Sequence, residues 1–173
     1  MRRPIAWLLV LLALPVAALA QQRDAVDHFF HPFLGDFRAE AADAKNAGKK
    51  ALVVMFHFEE CPYCARMKKE VLSRPEVQEF YRREFAVLGI DTRGAQQIID
   101  FAGVSRTEKD YARSIPIKGT PTFIFYGLDG GQLYRHVGAV YDAAEFLLLG
   151  EYVASGGYRS GSFAQFRQSK KGS

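Results

Sequence analysis

The stretch Phe56-His57-Phe58-Glu59-Glu60-Cys61-Pro62-Tyr63-Cys64 joins the end of an apolar run to a predicted helix start. The run, residues 51–58, is almost wholly apolar, which is typical of a strand covered on both faces by helices. Pro62 suits the first helical position because it has no N–H to lose. Both cysteines of the chain lie here, and a bond between them would close too short a loop to stabilise the fold much. The pattern therefore predicts a disulfide that is made and broken in an oxidising compartment.

The position of the two cysteines predicts different chemistry for each. A thiol attacks a disulfide only as the thiolate, so the attacking cysteine must be exposed in surroundings that favour the anion. At a helix start, Cys61 would face free backbone N–H groups and the positive end of the helix dipole. We expect Cys61 to be exposed. Cys64, three residues later on the same side, should be more buried and should release the partner from a mixed disulfide.

Upstream and downstream of this stretch, alternating helix and strand patterns predict an α/β domain. Helices are predicted at 36–47 and 61–73, with another starting at Pro75, and a second apolar strand at 85–90. Two apolar strands joined by a helix imply a parallel, right-handed crossover.

The second half of the chain predicts a hairpin and a final helix. Residues 91–106 form a connecting excursion, and a short helix is expected at 108–114. Strands at 122–126 and 133–137 flank Asp129-Gly130-Gly131, a turn sequence. Asp142, with Glu145 three residues later, is a capping box that opens a helix to about residue 154.

The N-terminal residues have the pattern of a secretory signal. Met1-Arg2-Arg3 precedes an apolar run at 5–17 and then Ala18-Leu19-Ala20. We expect cleavage after Ala20 and a periplasmic protein. The alternative is an uncleaved membrane anchor, although the run falls short of the ~20 residues of a spanning helix. The domain is then predicted at 21–158, followed by a polar tail at 159–173. Phe163 and Phe166 are the points at which this tail could dock onto the domain.

Charge and metal-ligand spacing bear on the partners of the chain. The net charge of +4 includes two arginines of the signal, and the remaining cations are interleaved with acids, so no nucleic-acid partner is expected.

The Cys-x-x-Cys spacing also occurs in zinc sites. His28, His31, His57 and His136 exist, but no second cysteine pair or close histidine pair accompanies them. We predict no metal and no cofactor beyond the redox-active cysteine pair.

A second element, Gly119-Thr120-Pro121-Thr122, comes directly before a predicted strand. If the Thr120–Pro121 bond is cis, the chain turns so that the Thr120 backbone can stand beside the cysteines. A plain trans turn is the alternative.

With these two elements, residues 36–154 resemble the thioredoxin superfamily, and within it the periplasmic thioredoxin-related proteins of the SoxW type. The resemblance implies a thioredoxin fold, a central mixed β-sheet flanked by helices in three α/β/α layers. It makes Cys61 the nucleophile, Cys64 the resolving cysteine and Pro121 the cis-proline of the substrate-docking loop. Thr120, Pro62 and Tyr63 are then expected to contact the substrate.

The chain departs from the usual thioredoxin pattern in two places. Glu60 stands where thioredoxins have Trp, and Met55 stands where they have a buried acid. Glu59, Glu60 or water could transfer the proton of Cys64 instead. The two acids could equally belong to a solvated surface.

The predicted function is a periplasmic thiol-disulfide oxidoreductase that reduces disulfides in exported proteins. A reductase in an oxidising space must be recharged, so a membrane electron donor of the thiol-relay type is an expected partner. We expect a monomer. The alternatives are a disulfide oxidase of the same compartment and a non-catalytic module that binds a metal through Cys61, Cys64 and His57 or serves as an interaction domain.

Overall fold

The computed structural model describes residues 22–171, so the predicted signal segment 1–20 lies outside the described residues. These residues form a four-stranded mixed sheet, a separate two-stranded sheet and seven α-helices. The strands are β1 Ala51–His57, β2 Phe85–Asp91, β3 Gln97–Ile99, β4 Ser105–Thr107, β5 Thr122–Tyr126 and β6 Gln132–Val137. The helices are α1 Ala25–His28, α2 Phe37–Asn46, α3 Pro62–Met67, α4 Pro75–Glu84, α5 Glu108–Ser114, α6 Ala143–Ala154 and α7 Phe163–Lys171. None of the helices described is long and apolar enough to cross a membrane.

The main sheet has the strand order β2-β1-β5-β6. β1 and β2 are parallel, with Ala51 opposite Phe85, whereas β5 runs antiparallel to both β1 and β6. The parallel crossover and the hairpin predicted from the sequence are both present. Parallel strands bring their carboxyl ends to one edge of the sheet, and the loop that carries Cys61 follows β1 at that edge.

Each face of the sheet has its own apolar core, which gives the three layers expected. Alternate residues of β1 point to opposite faces, so Val53 and Met55 join one core while Val54 and Phe56 join the other. Helices α1, α3, α4 and α6 cover the first face, which includes both cysteines. Helices α2 and α5 cover the second. The central mixed sheet flanked by helices that was predicted for residues 36–154 is confirmed.

The helix after Cys61 changes geometry part of the way along. It is α-helical over Pro62–Met67 and continues as a π-helical turn over Lys68–Leu72. Met67, Val71 and Leu72 are fully buried and hold this helix against the sheet. The π-helical turn was not predicted.

The excursion at 91–106 is more ordered than the sequence suggested. It contains β3 and β4, which pair through Ile98 and Arg106. The Asp100 carboxylate accepts hydrogen bonds from the N–H groups of Ala102 and Val104, each at 2.9 Å, and pairs with Arg106 at 2.9 Å. These contacts fix the turn between the two short strands.

The polar tail is largely helical. Helix α7 packs against α6, because the rings of Phe163 and Phe166 lie 5.5 and 5.4 Å from that of Tyr152. The Tyr152 hydroxyl donates a hydrogen bond to the Gly161 carbonyl at 2.7 Å. The docking role expected for the two phenylalanines is therefore present, on a helix that the sequence analysis did not predict.

Candidate functional site

Cys61 caps the N-terminus of α3. Its backbone is extended, and its Sγ accepts a hydrogen bond from the Cys64 N–H at 3.2 Å. Pro62 is the first helical residue, as predicted. Cys61 and Cys64 are joined by a disulfide, with their Cα atoms 5.3 Å apart, which is an ordinary separation for such a bond. The helix start at Pro62 and the pairing of the two cysteines are as predicted.

The burial of Cys61 differs from the expectation. Cys61 is 2% exposed and Cys64 is 1% exposed, so the predicted exposure of Cys61 is wrong for the oxidised state. The cause is the 119–122 loop. The Thr120 hydroxyl donates a hydrogen bond to the Cys61 Sγ at 3.3 Å, and the Thr120 carbonyl oxygen lies 3.7 Å from the same atom.

The 119–122 loop is held in place by the sheet. Its Thr120–Pro121 peptide bond is cis. The Thr122 hydroxyl donates to the Gly119 carbonyl at 2.6 Å, and the Pro121 carbonyl accepts from the Gly138 N–H at 2.9 Å. Thr122 begins β5, which pairs with β1, so the strand before Cys61 and the loop that covers Cys61 belong to one sheet.

The four residues expected to contact the substrate differ in how exposed they are. Tyr63 is 62% exposed, so a partner protein can reach its ring. Pro62 is also exposed, whereas Thr120 is half-buried and Pro121 is buried. The structure therefore brings Cys61, Cys64 and Thr120 together and leaves Tyr63 beside them at the surface.

The acids near the cysteines are at the surface. Met55 is fully buried, so no carboxyl group lies at that position in the core. Glu59 and Glu60 are exposed. The Glu60 carboxylate forms an ion pair with Arg93 at 3.0 Å, and this bond ties it to the loop after β2.

Arg93 is a site residue that sequence reasoning missed. Its guanidinium lies 3.9 Å from the centre of the Phe58 ring while it pairs with Glu60. A signal was available, because loops that follow neighbouring parallel strands meet at one edge of a sheet. Arg93 stands two residues after β2, and Phe58 directly follows β1.

His57, the last residue of β1, is half-buried on the same side as Met55. Burial first, and then the positive charge of Lys68, lowers the pKa of His57 to about 4, while Asp91 acts in the opposite direction. Its Nδ1 is buried without a hydrogen-bond partner among the residues described. His57 is therefore neutral at neutral pH.

The described residues, 22–171, also bear on the metal-binding alternative. No group of three or more His, Cys, Asp or Glu side chains in that part of the chain could hold a metal ion. In the structure the sulfurs of Cys61 and Cys64 are bonded to each other, and the His57 ring packs near Phe30, with the two ring centres 6.3 Å apart.

Comparison with known proteins gives one family. A family model described as a thioredoxin-like domain matches residues 37–154, which contain both cysteines and the Thr120–Pro121 bond. No curated protein sequence matches the chain significantly.

Several solved structures resemble the chain. A thioredoxin from Thermus thermophilus is 28% identical, with a TM-score of 0.56 over 73% of this chain and 91% of that one. A candidate disulphide-isomerase from Bacteroides thetaiotaomicron is 25% identical, with a TM-score of 0.54 over 73% and 90%. A thioredoxin-fold protein from Helicobacter pylori is 18% identical, with a TM-score of 0.59 over 72% and 82%. The last of these shows a shared fold only.

Proposed function

Because this chain belongs to the thioredoxin-like domain family, we propose that its Cys61–Cys64 dithiol reduces disulfide bonds in exported proteins. One observation carries the proposal. The Cys61 Sγ is bonded to Cys64 at the N-terminus of α3, and it touches both the hydroxyl and the carbonyl of Thr120. A sulfur in this position receives hydrogen bonds when it becomes a thiolate, because the Cys64 N–H and the Thr120 hydroxyl already point at it.

The reaction needs only the two cysteines and the partner. The reduced Cys61 thiolate attacks one sulfur of the partner disulfide, a new S–S bond forms, and the other partner sulfur leaves as a thiolate that takes up a proton. Cys64 then loses its proton and attacks the Cys61 Sγ, which restores the Cys61–Cys64 bond and releases the second partner thiol. The partner gains two electrons and two protons, and the dithiol loses both.

The proton of Cys64 has no buried carboxyl to go to at position 55. Glu59, Glu60 or water take it in this proposal. The Glu60 carboxylate is already paired with Arg93, so Glu59 and water are the stronger candidates. Pro121 and Thr120 hold the partner backbone beside Cys61, and Pro62 and Tyr63 contact its side chains.

The direction and the location belong to the same proposal. The signal pattern at residues 1–20 supports a periplasmic location, and the proposal includes a monomeric protein of the SoxW type. A membrane electron donor of the thiol-relay type would return the Cys61–Cys64 bond to the dithiol. The 28% identical thioredoxin supports the reducing direction.

Equilibration of the purified protein in a glutathione redox series tests the direction. A reductase gives a potential near about −270 mV, the value for thioredoxin, whereas a disulfide oxidase gives one near about −120 mV. A second assay follows the reduction of a protein disulfide by the dithiothreitol-recycled chain, with Cys61→Ser as the control. A protein that binds metal stoichiometrically but reduces no disulfide would instead be the non-catalytic module.

A further inference from the structure

A groove of 460 Å³ runs along residues 112–120, with Thr120 among its lining residues. Phe58 and Thr120 form its end nearest the cysteines, and Ile115, Pro116 and Ile117 supply an apolar wall. Because Thr120 also contacts the Cys61 Sγ, a peptide lying in the groove reaches the reactive sulfur. The groove is therefore placed to hold the chain on one side of a partner's disulfide.

The groove also carries positive charge. Arg113 and Lys118 line it, and no aspartate or glutamate is among its described lining residues. Arg113 lies 3.7 Å from the exposed Asp110 carboxylate, a surface pair that contributes little. Lys118 has no ion-pair partner within residues 22–171. Its charge remains available to a bound chain.

The end near Cys61 has a different balance of charge. Glu59 and Glu60 precede the cysteine, and Arg93 offsets only Glu60, to which it is bonded at 3.0 Å. An acidic side chain directly beside the partner's cysteine would therefore meet Glu59. One placed further along would meet Lys118 instead. These charges favour a partner whose acidic side chain is a few residues away from its own cysteine.

On the premise of the reductase function above, we propose that this groove selects disulfides flanked by an extended acidic segment. Lys118 lies two residues before Thr120 in the loop that lines the groove, and Thr120 contacts the Cys61 sulfur. The preferred acid is then about two positions from the attacked cysteine. The charges act on the encounter between the two proteins, so the preference weakens as salt screens them.

Single-turnover reduction of matched peptides tests this inference. The fully reduced chain is mixed with three peptides, each holding one internal disulfide and differing only in whether Glu, Gln or Lys lies two positions from the cysteine. We expect the Glu peptide to react roughly fivefold faster than the Gln peptide at low ionic strength. The Lys peptide should be slower, and high salt should bring the three rates together.

Two charge-reversal variants test whether the peptide preference arises from Lys118. Lys118→Glu should reverse the order of the Glu and Lys peptides, and a far-UV circular dichroism spectrum that matches the unaltered chain shows that the variant is folded. Lys171→Glu is the matched control, because it makes the same charge change on the exposed surface of α7. It should keep the order found for the unaltered chain.

The possible results distinguish a failure of the groove inference from a failure of the reductase function on which it rests. Equal rates for the three peptides overturn the groove inference and leave the reductase function standing. Equal shifts in Lys118→Glu and Lys171→Glu also overturn it, because the preference would then follow net charge and not the groove. Failure to reduce any peptide contradicts the reductase function, and the groove inference falls with it.

Discussion

The Thr120 hydroxyl donates a hydrogen bond of 3.3 Å to the Cys61 Sγ across 59 positions of sequence. This bond is present in the oxidised chain and should strengthen when Cys61 becomes a thiolate, because hydrogen bonds to charged acceptors are the stronger ones. The hydroxyl thus links the 119–122 loop to the reactivity of the cysteine.

Thr120→Val should slow the attack of reduced Cys61 on a small disulfide by about three- to tenfold. The variant keeps the shape of the side chain and loses the donor, and a hydrogen bond of this kind contributes about 1 kcal/mol. Stopped-flow reduction of a small disulfide measures the rate. Thr120→Ser keeps the hydroxyl and should react at nearly the original rate. If valine reacts as fast as threonine, the hydroxyl has no part in stabilising the thiolate.

Cys64→Ala should trap partners on Cys61. Without the second sulfur, the mixed disulfide has no internal group to release it, so it should persist for far longer than in the unaltered chain. Non-reducing mass spectrometry of the acid-quenched reaction with a model disulfide protein measures the adduct. Cys61→Ala should give much less adduct, because the Cys64 N–H and the Thr120 hydroxyl, which would stabilise a thiolate, point at the sulfur of Cys61. Equal adducts on the two variants would contradict the assigned roles.

His57 should make the stability of the fold depend on pH. Burial lowers its pKa to about 4 in the folded chain, below the value of about 6.5 in the unfolded chain. The unfolded chain therefore binds more protons between these values, and the free energy of unfolding falls as the pH drops from about 6.5 to about 4. The loss levels off below that range and amounts to at most about 3 kcal/mol.

Urea unfolding of His57→Gln across this pH range isolates the contribution. The glutamine does not titrate, so the variant should show a flatter dependence than the unaltered chain. Burial also lowers the pKa of His31 and of His136, so some slope should remain. Identical pH dependence in both proteins would mean that His57 is charged as readily in the fold as outside it.

The strand and helix around the cysteines could be predicted because their signals are local. The apolar run of β1, the proline at the first helical position and the cysteine before it lie within one short stretch. The contact of Thr120 with Cys61 is different, since it exists only once β5 pairs with β1. Reasoning from residues left the loop open between cis and trans, and only the family resemblance placed it beside the cysteines.

The features that were missed depend on tertiary packing. Arg93 reaches Phe58 across two loops, and no local pattern marks it. Helix α7 was not predicted because most residues of the tail are polar. Its signal was the spacing of Phe163 and Phe166, which lie three residues apart and therefore on one side of a helix. The exposure of Cys61 was inferred from its chemistry, whereas the oxidised fold covers the sulfur with Thr120.

Asp100→Ala should destabilise the chain by about 2–4 kcal/mol. It removes two hydrogen bonds to the β3–β4 turn and leaves Arg106, which is 27% exposed, without its partner. Urea unfolding measures the loss, and hydrogen exchange should show faster exchange of the amides in 97–107. Asp100→Asn keeps an acceptor for the turn and should cost less. Unchanged exchange in both variants would show that the pair does not hold the excursion.

Phe166→Ala tests whether α7 is part of the domain, which was predicted to end at residue 158. The ring packs on Tyr152 of α6, which also bonds to Gly161. Because Phe166 is only partly buried, its loss should lower the free energy of unfolding by about 1–3 kcal/mol, less than for a fully buried ring.

Lys171→Ala, on the exposed side of the same helix, should change the free energy of unfolding by less than about 0.5 kcal/mol. Reduction of a small disulfide should be unaffected in both, since α7 lies outside the site. A Phe166 variant as stable as the unaltered chain would instead support the boundary at 158 and a tail that contributes nothing to the fold.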